Sequence, residues 1–398
     1  MKIKINWSGK AHKFDSKVKK YLLKVLDSDN LTQGREKDIF EIKLRKYLKK
    51  KNIFCTSSAA ASLEIVAALL KIRKGDEIII PAHTYCASAI PFARNGAKII
   101  WADINPKTRT IDLNDVKKKI SKKTKAIVIV HLYGYAVDVN QFKKINREIK
   151  IVEDCAQSFG AEINNSKAGT IGDFSCFSFH AQKNITTLGE GGAIFVKNDK
   201  LSKKVPGLRH NGHCNYGINR KYYWKPAMGD LDMDLDNRWP YKFTLSEIQC
   251  AAGHLMLDKL DKLNDIRINR AKKFINKFEG EVFSFNGDFK KRRHVYHLLS
   301  AHVKPTAKIN NHKIIELMYK KFGIKCAVQY YPLYRYPLFK KMGVSNQHCP
   351  NTDAFFDNMI SFPFHVWMSE KNFNYLINSL DKVVRMLNDK EIIYIRKS

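Results

Sequence analysis

The stretch Glu153–Gly192, EDCAQSFGAEINNSKAGTIGDFSCFSFHAQKNITTLGEGG, decides how this chain is read. An acidic pair, Glu153 and Asp154, closes the apolar run REIKIVEDC. Downstream, DFSCFSFH alternates as a strand does, and GGAIFVKND restarts a β-branched run. Between them lies a polar turn, AQKNITTLGEGG, holding one lysine, Lys183. Strand, turn, strand is the expected order, with Asp154 and Lys183 both at strand ends. In open α/β sheets, ligands sit outside strand ends. Taken singly, a lysine is ordinarily a solvated surface group and a strand-end aspartate a turn cap. Their order, with glycines on both sides, carries the signal.

The same residues resemble the centre of the DegT/StrS (DegT/DnrJ) family, pyridoxal-phosphate (PLP) enzymes that aminate nucleotide-linked sugars. That pattern is acidic-Asp-x-Ala-Gln/His, then Gly-Asp-x-x-x-Phe-Ser-Phe-His-x-x-Lys, then Thr-x-Gly-Glu-Gly-Gly. Here it reads Glu153-Asp154-Cys155-Ala156-Gln157, then Gly172-Asp173, Phe177-Ser178-Phe179-His180 and Lys183, then Thr187 and Gly189 to Gly192. Weaker matches run from Leu31 to about His365. The resemblance implies fold type I: a large domain with a mainly parallel seven-stranded sheet and a smaller C-terminal α/β domain. We expect the large domain, N-terminal helices included, over 1–260 and the small one over 261–398.

The residue types suit the chemistry that the resemblance implies. A covalently held aldehyde cofactor needs a primary amine, which only lysine carries on its side chain. Lys183 is implied to hold PLP and later to move the proton. A pyridine nitrogen that must stay protonated needs a carboxylate beside it, the role implied for Asp154. Gln157 would support the ring, Ser178 the phosphate, and Tyr85 would stack on the ring and exclude water. The small-residue loop Ser57-Ser58-Ala59-Ala60 opens the helix SLEIVAALLKI, and backbone N–H groups at such a point cradle an anion. The family has glycine and threonine where this chain has Ala59 and Ala60, so one hydroxyl ligand is missing while the backbone contacts remain. Lys242 stands where the family has an asparagine that reaches the partner subunit's phosphate, and a lysine offers a point charge there. For substrate we expect Thr32, His180, Gln329, Tyr331 and Tyr334. Gln329 and Tyr334 replace the two histidines of the family's His-Tyr-x-Pro-Leu-His.

At 398 residues and 44% hydrophobic, the chain can bury a large core, and its length suits two domains. No stretch approaches 18 consecutive apolar residues, so no membrane span is expected. The opening MKIKINWSGKAHKF has no apolar signal region. Eight scattered cysteines, none in a Cys-x-x-Cys pair, fit reduced residues of a cytoplasmic protein without structural zinc. No metal site is expected.

Net charge is +33, from 71 basic and 38 acidic residues. That would suit nucleic acid, but the lysines are spread evenly instead of forming an arm, so we expect no such partner. A basic surface attracts an anionic nucleotide sugar equally well.

Elsewhere, residues 14–50 carry apolar spacing for two surface helices. In DEIIIPAHTYCAS the strand EIII ends at Pro81, and KAIVIVHLYG is a buried parallel strand ended by a tight turn at Gly134. Tyr222, Tyr223 and Trp224 form an aromatic cluster suited to stacking a base or to loop packing. A long helix is expected from Ser246 through KKFINKF, crossing between domains. The expected enzyme is a homodimer with shared sites that takes an amino group from an amino acid, glutamate in the family. The alternatives are a PLP-dependent sugar dehydratase, whose family members carry histidine at the lysine position, and a basic regulatory or nucleic-acid-interacting protein that keeps the fold.

Overall fold

Successive residues of a strand face opposite sides of a sheet. Ile78 and Ile80, Val128 and Val130, and Cys176 pack in one cluster, while Ile79, Ile127 and Ile129 pack in another. Apolar residues at every position therefore demand cover on both faces, as in a parallel sheet. In the computed structural model, which describes residues 2–7, 13–213, 222, 224–225, 235–287, 291–307, 309–344 and 347–395, that sheet is present. Its strands are β1 (Ile53–Thr56), β2 (Glu77–Pro81), β3 (Lys98–Ala102), β4 (Thr124–Val130), β5 (Lys150–Asp154), β8 (Phe174–Ser178) and β9 (Gly192–Val196), in the order β1-β9-β8-β5-β4-β2-β3. Only β9 runs antiparallel to its neighbours. The short strands β6 (Glu162–Ile163) and β7 (Ser166–Lys167) form a ribbon with β11 (Arg292–Arg293).

Helix α1 (Ser16–Leu26) starts where Asp15 caps the Val18 N–H, and α2 (Arg35–Leu48) follows. Read from sequence as surface helices, they differ: α2 buries Phe40 and Leu44 completely against helix Glu247–Leu257. Helix α3 (Ala59–Leu69) is buried along nearly its whole length, which its near-continuous apolar sequence dictates.

The expected single helix after Ser246 is two, Glu247–Leu257 and Leu260–Phe278. At the break the Lys259 N–H bonds three residues back to Met256 O at 3.1 Å, so the α-helical ladder is interrupted. The second helix places Leu260 and Leu263 in the core beside α2, and Ala271, Phe274 and Phe278 in a separate core. That second core lies on an antiparallel sheet of β10 (Phe283–Ser284), β12 (Leu299–Val303) and β13 (Met359–Phe362). Helices Asn311–Phe322 and Glu370–Ile395 cover it. No helix among the described residues is long and apolar enough to cross a membrane.

One rim of the large sheet gathers the carboxyl ends of β1, β2, β4, β5 and β8 with the start of β9, since Thr56 and Ser178 both pair with Gly192. At this rim Gly134 adopts φ +95°, and a Cβ there would lie 2.9 Å from the Tyr296 backbone nitrogen. The turn that the sequence placed there thus lets the two parts of the chain touch.

Candidate active site

The loop from β8 to β9 folds on its own backbone. Phe179 N–H donates to Gly191 O at 2.7 Å, Ala181 N–H to Gly189 O at 2.8 Å, and Lys183 N–H to His180 O at 2.9 Å. Thr187 Oγ1 donates to Glu190 O at 2.6 Å, across a turn that holds Leu188 at φ 74°. Lys183 is therefore fixed at its base and half-buried. Burial pushes its ammonium down to about 8 from an ordinary 10.5, against the opposing pull of Asp154 and Glu190. An amine at this value yields its proton far more readily than a surface lysine.

Asp154 ends β5 at 5% exposure. Its Oδ2 accepts from Ser88 Oγ at 2.7 Å and its Oδ1 from the Ala156 N–H at 3.0 Å. Glu153 points to the other face of the strand and clamps the same rim. It accepts from His131 Nε2 at 2.9 Å and from the N–H groups of Gly169, Ile171 and Gly172. Burial alone would raise the Glu153 carboxyl, but His131 and these N–H groups outweigh it and hold it low. The Asp154 carboxylate is thus delivered from a rigid support.

Ser58 caps α3, its Oγ accepting the Ala61 N–H at 3.0 Å. The start of α3 lies against Gly192, where a Cβ would come within 2.4 Å of the Ser58 carbonyl carbon and 2.7 Å of the Ala59 nitrogen. Ser178 is the ladder partner of Gly192. Ser58, Ala59, Ala60 and Ser178 are thus brought to one corner, at the positive end of a buried helix. That amine, that carboxylate and that helix end fit a group with an aldehyde, a basic ring nitrogen and a phosphate.

The remaining expected residues divide. Gln157 is buried, its Oε1 accepting from the Tyr133 N–H at 2.9 Å and its Nε2 donating to Tyr330 Oη at 3.2 Å, so its amide is anchored within the protein. Tyr85 is 56% exposed, edge-on to Tyr330 with ring centres 5.9 Å apart. Gln329 lines the Lys183 cavity. His180 lies beside Glu190, 3.7 Å from its carboxylate, while Thr32 and Tyr331 are exposed. Lys242 is exposed and bridged to His210, outside the lining of the Lys183 cavity. Tyr334 is 7% exposed in the large core, outside the lining of the Lys183 cavity, and its hydroxyl donates to Asp353. Tyr223 lies outside the described residues. Ser88, Tyr330, Arg267 and His297 were not foreseen. Ser88 stands inside the quoted PAHTYCAS run, three residues past Tyr85, where a hydroxyl facing the strand end was the available signal.

Comparison with known proteins gives the family and the fold. A profile of the DegT/DnrJ/EryC1/StrS aminotransferase family matches residues 12–381. GDP-perosamine synthase of Vibrio cholerae is 28% identical over 331 residues, 82% of this chain and 86% of that one. Among solved structures, a putative sugar aminotransferase from Streptococcus pneumoniae in its PMP form superposes with a TM-score of 0.86 at 25% identity, covering 96% of this chain and 100% of that one. An aminotransferase of pseudoaminic acid biosynthesis from Helicobacter pylori gives a TM-score of 0.86 at 26% identity, covering 96% and 99%. The chain belongs to the DegT/DnrJ/EryC1/StrS aminotransferase family.

Proposed function

We propose that this PLP-dependent aminotransferase moves an amino group from an amino acid, glutamate in our reading, to a keto group of a nucleotide-linked sugar for polysaccharide or modified-sugar biosynthesis. The observation that carries the proposal is the half-buried Lys183 amine, pushed down to about 8, sharing its surroundings with a carboxylate anchored by Ser88 and Ala156. Bound PLP supplies an aldehyde that captures amines and a ring that accepts electrons.

The protein supplies the rest. Lys183 Nζ would hold the cofactor and would move a proton at the reacting carbon. Asp154 keeps the proton on the ring nitrogen by opposite charge. The α3 N–H groups, with Ser58 and Ser178, bind phosphate. The exposure of Tyr85, Tyr331 and Lys242, whose family counterparts face the cofactor, the substrate or a second subunit, supports a homodimer in which a second copy completes each site. The free cysteines at Cys55, Cys86, Cys155, Cys176, Cys250, Cys326 and Cys349 support a cytoplasmic setting. Lysine rather than histidine at position 183 argues against the dehydratase reading. The test is purified protein mixed with PLP, then with a panel of keto-sugar nucleotides and 15N-glutamate, read by mass. Labelled amino sugar is expected. No visible absorbance after PLP addition, or no label transfer to any keto sugar, would overturn the proposal.

A further inference from the structure

A small cavity opens beside Lys183. Its volume is about 80 Å³, and Lys183, Arg267, His297, Gln329 and His365 stand in its wall with Trp7. That is far below the roughly 300–1,000 Å³ of pockets that take drug-sized ligands. A carboxylate is of a size with it.

The wall is unusual in charge. Arg267 projects from helix Leu260–Phe278 and is only 5% exposed. Its guanidinium lies over the Phe364 ring at 5.6 Å, and its Nη1 donates to Tyr296 O at 3.3 Å. No carboxylate pairs with it among the described residues. Burial, helped by the positive charge of Arg270, lowers it to about 10, so it stays cationic at neutral pH. A buried cation without a counter-charge destabilises the protein and is kept where a ligand supplies the anion.

Two imidazoles point the same way. His297 is 6% exposed, and its Nδ1 has no hydrogen-bond partner. Burial, then the positive charges of Lys183, Arg267 and His180, hold it well below its ordinary value and thus neutral. His365 Nδ1 is likewise buried without a partner, and burial with the charges of Arg267, Arg270 and Lys13 lowers this ring to about 4. A neutral imidazole can place its proton on Nδ1 and donate. A guanidinium fork presents paired donors that match the two oxygens of a carboxylate.

We propose that Arg267, with His297 and His365, receives the α-carboxylate of the amino donor beside Lys183. The proposal rests on the aminotransferase reading above and names the donor's class, an amino acid as opposed to a simple amine. An α-carboxylate is a group of the amino donor, so the site serves the donor half of the reaction. The cofactor's phosphate is a rival anion for it, but the α3 corner already provides a phosphate cradle.

The experiment uses the PLP-loaded enzyme and Arg267→Gln. Glutarate, which has the carboxylates and no amine, is titrated by calorimetry, L-glutamate by the loss of the visible band, and PLP by absorbance. Truncating a buried charge pair should weaken glutarate and glutamate by about 30-fold or more. PLP affinity should be unchanged, and the ligand-free variant should melt no lower than the parent. Unchanged glutarate binding, or lost PLP affinity with glutarate binding retained, overturns the proposal. Should Arg267→Gln not fold, Arg267→Lys keeps the charge and loses the fork. Its expected loss of glutarate affinity is about tenfold, the worth of one charge-assisted hydrogen bond, and unchanged binding again overturns it. If glutarate binding depends on Arg267 while L-glutamate never changes the parent's spectrum, the aminotransferase reading fails and the carboxylate site stands.

Discussion

Replacing Gly192 by alanine tests whether the lysine loop and the phosphate corner are one structure. An added Cβ would lie 2.4 Å from Ser58 C, 2.7 Å from Ala59 N and 2.7 Å from Phe177 O. All three are backbone atoms, so no side-chain rotation relieves the clash. Carbon atoms pack at about 3.5 Å or more, so the start of α3 must retreat by roughly 1 Å. Overpacking costs about 1–3 kcal/mol, and backbone neighbours on two elements put this case at the upper end. A helix end displaced by that much loses at least one charge-assisted hydrogen bond to phosphate, worth about tenfold to a hundredfold in PLP affinity. Urea unfolding of cofactor-free protein reads the first effect and an absorbance titration with PLP the second. Gly189→Ala is the control, since nothing lies within 4 Å of its built Cβ, and it should stay within about 0.5 kcal/mol of the parent. If Gly192→Ala matches Gly189→Ala in both readouts, the close approach does not shape the phosphate corner and the reasoning fails.

Lys183→Ala should still bind PLP but should leave no cofactor fixed to the protein after borohydride treatment, read by intact mass. Covalent capture of PLP should quicken as pH rises through about 8, because only the neutral amine attacks. Asp154→Asn should move that midpoint down, since Asp154 raises the lysine's value, and should lower turnover by about 10²–10³-fold with PLP retained. The same lysine binds fewer protons folded than unfolded between about 8 and 10.5, so its unfavourable contribution to stability fades as pH rises across that window. Arg209 and Glu41 pair at 2.6 Å with about 5% of each side chain exposed, so Arg209→Met should destabilise by about 3–5 kcal/mol in urea melts. Adding Glu41→Met should not recover that loss, because Glu41 also pairs with Arg45 at 3.0 Å and accepts from the Cys55 N–H at 2.9 Å.

The strands of the large sheet and the placing of Asp154 and Lys183 were readable because they depend on local pattern: continuous apolar runs, an acid at a strand end, an amine in a turn. The start of α3 was readable too, because serines in front of an apolar run mark a capped helix N-terminus. What was not readable depends on residues far apart in the chain. Arg267 sits in a helix whose sequence shows many basic residues, and only the fold tells which one is turned inward. Tyr334 occupies a place that the family fills with histidine, but its hydroxyl found Asp353, a residue of helix Pro350–Asp357. The break at Asp258–Lys259 has no proline or glycine to announce it. Leu44 looked like one apolar position on a lysine-rich surface helix until helix Glu247–Leu257 covered it.

Helix Leu260–Phe278 is rooted by its first turns in one core and by its later turns in the other. It therefore acts as an axle. Arg267 stands between the two anchorages, four residues past Leu263 and four before Ala271. Changes at Leu263 or Ala271, remote from any reacting atom, should then be felt at Arg267 and read as a change in glutarate affinity.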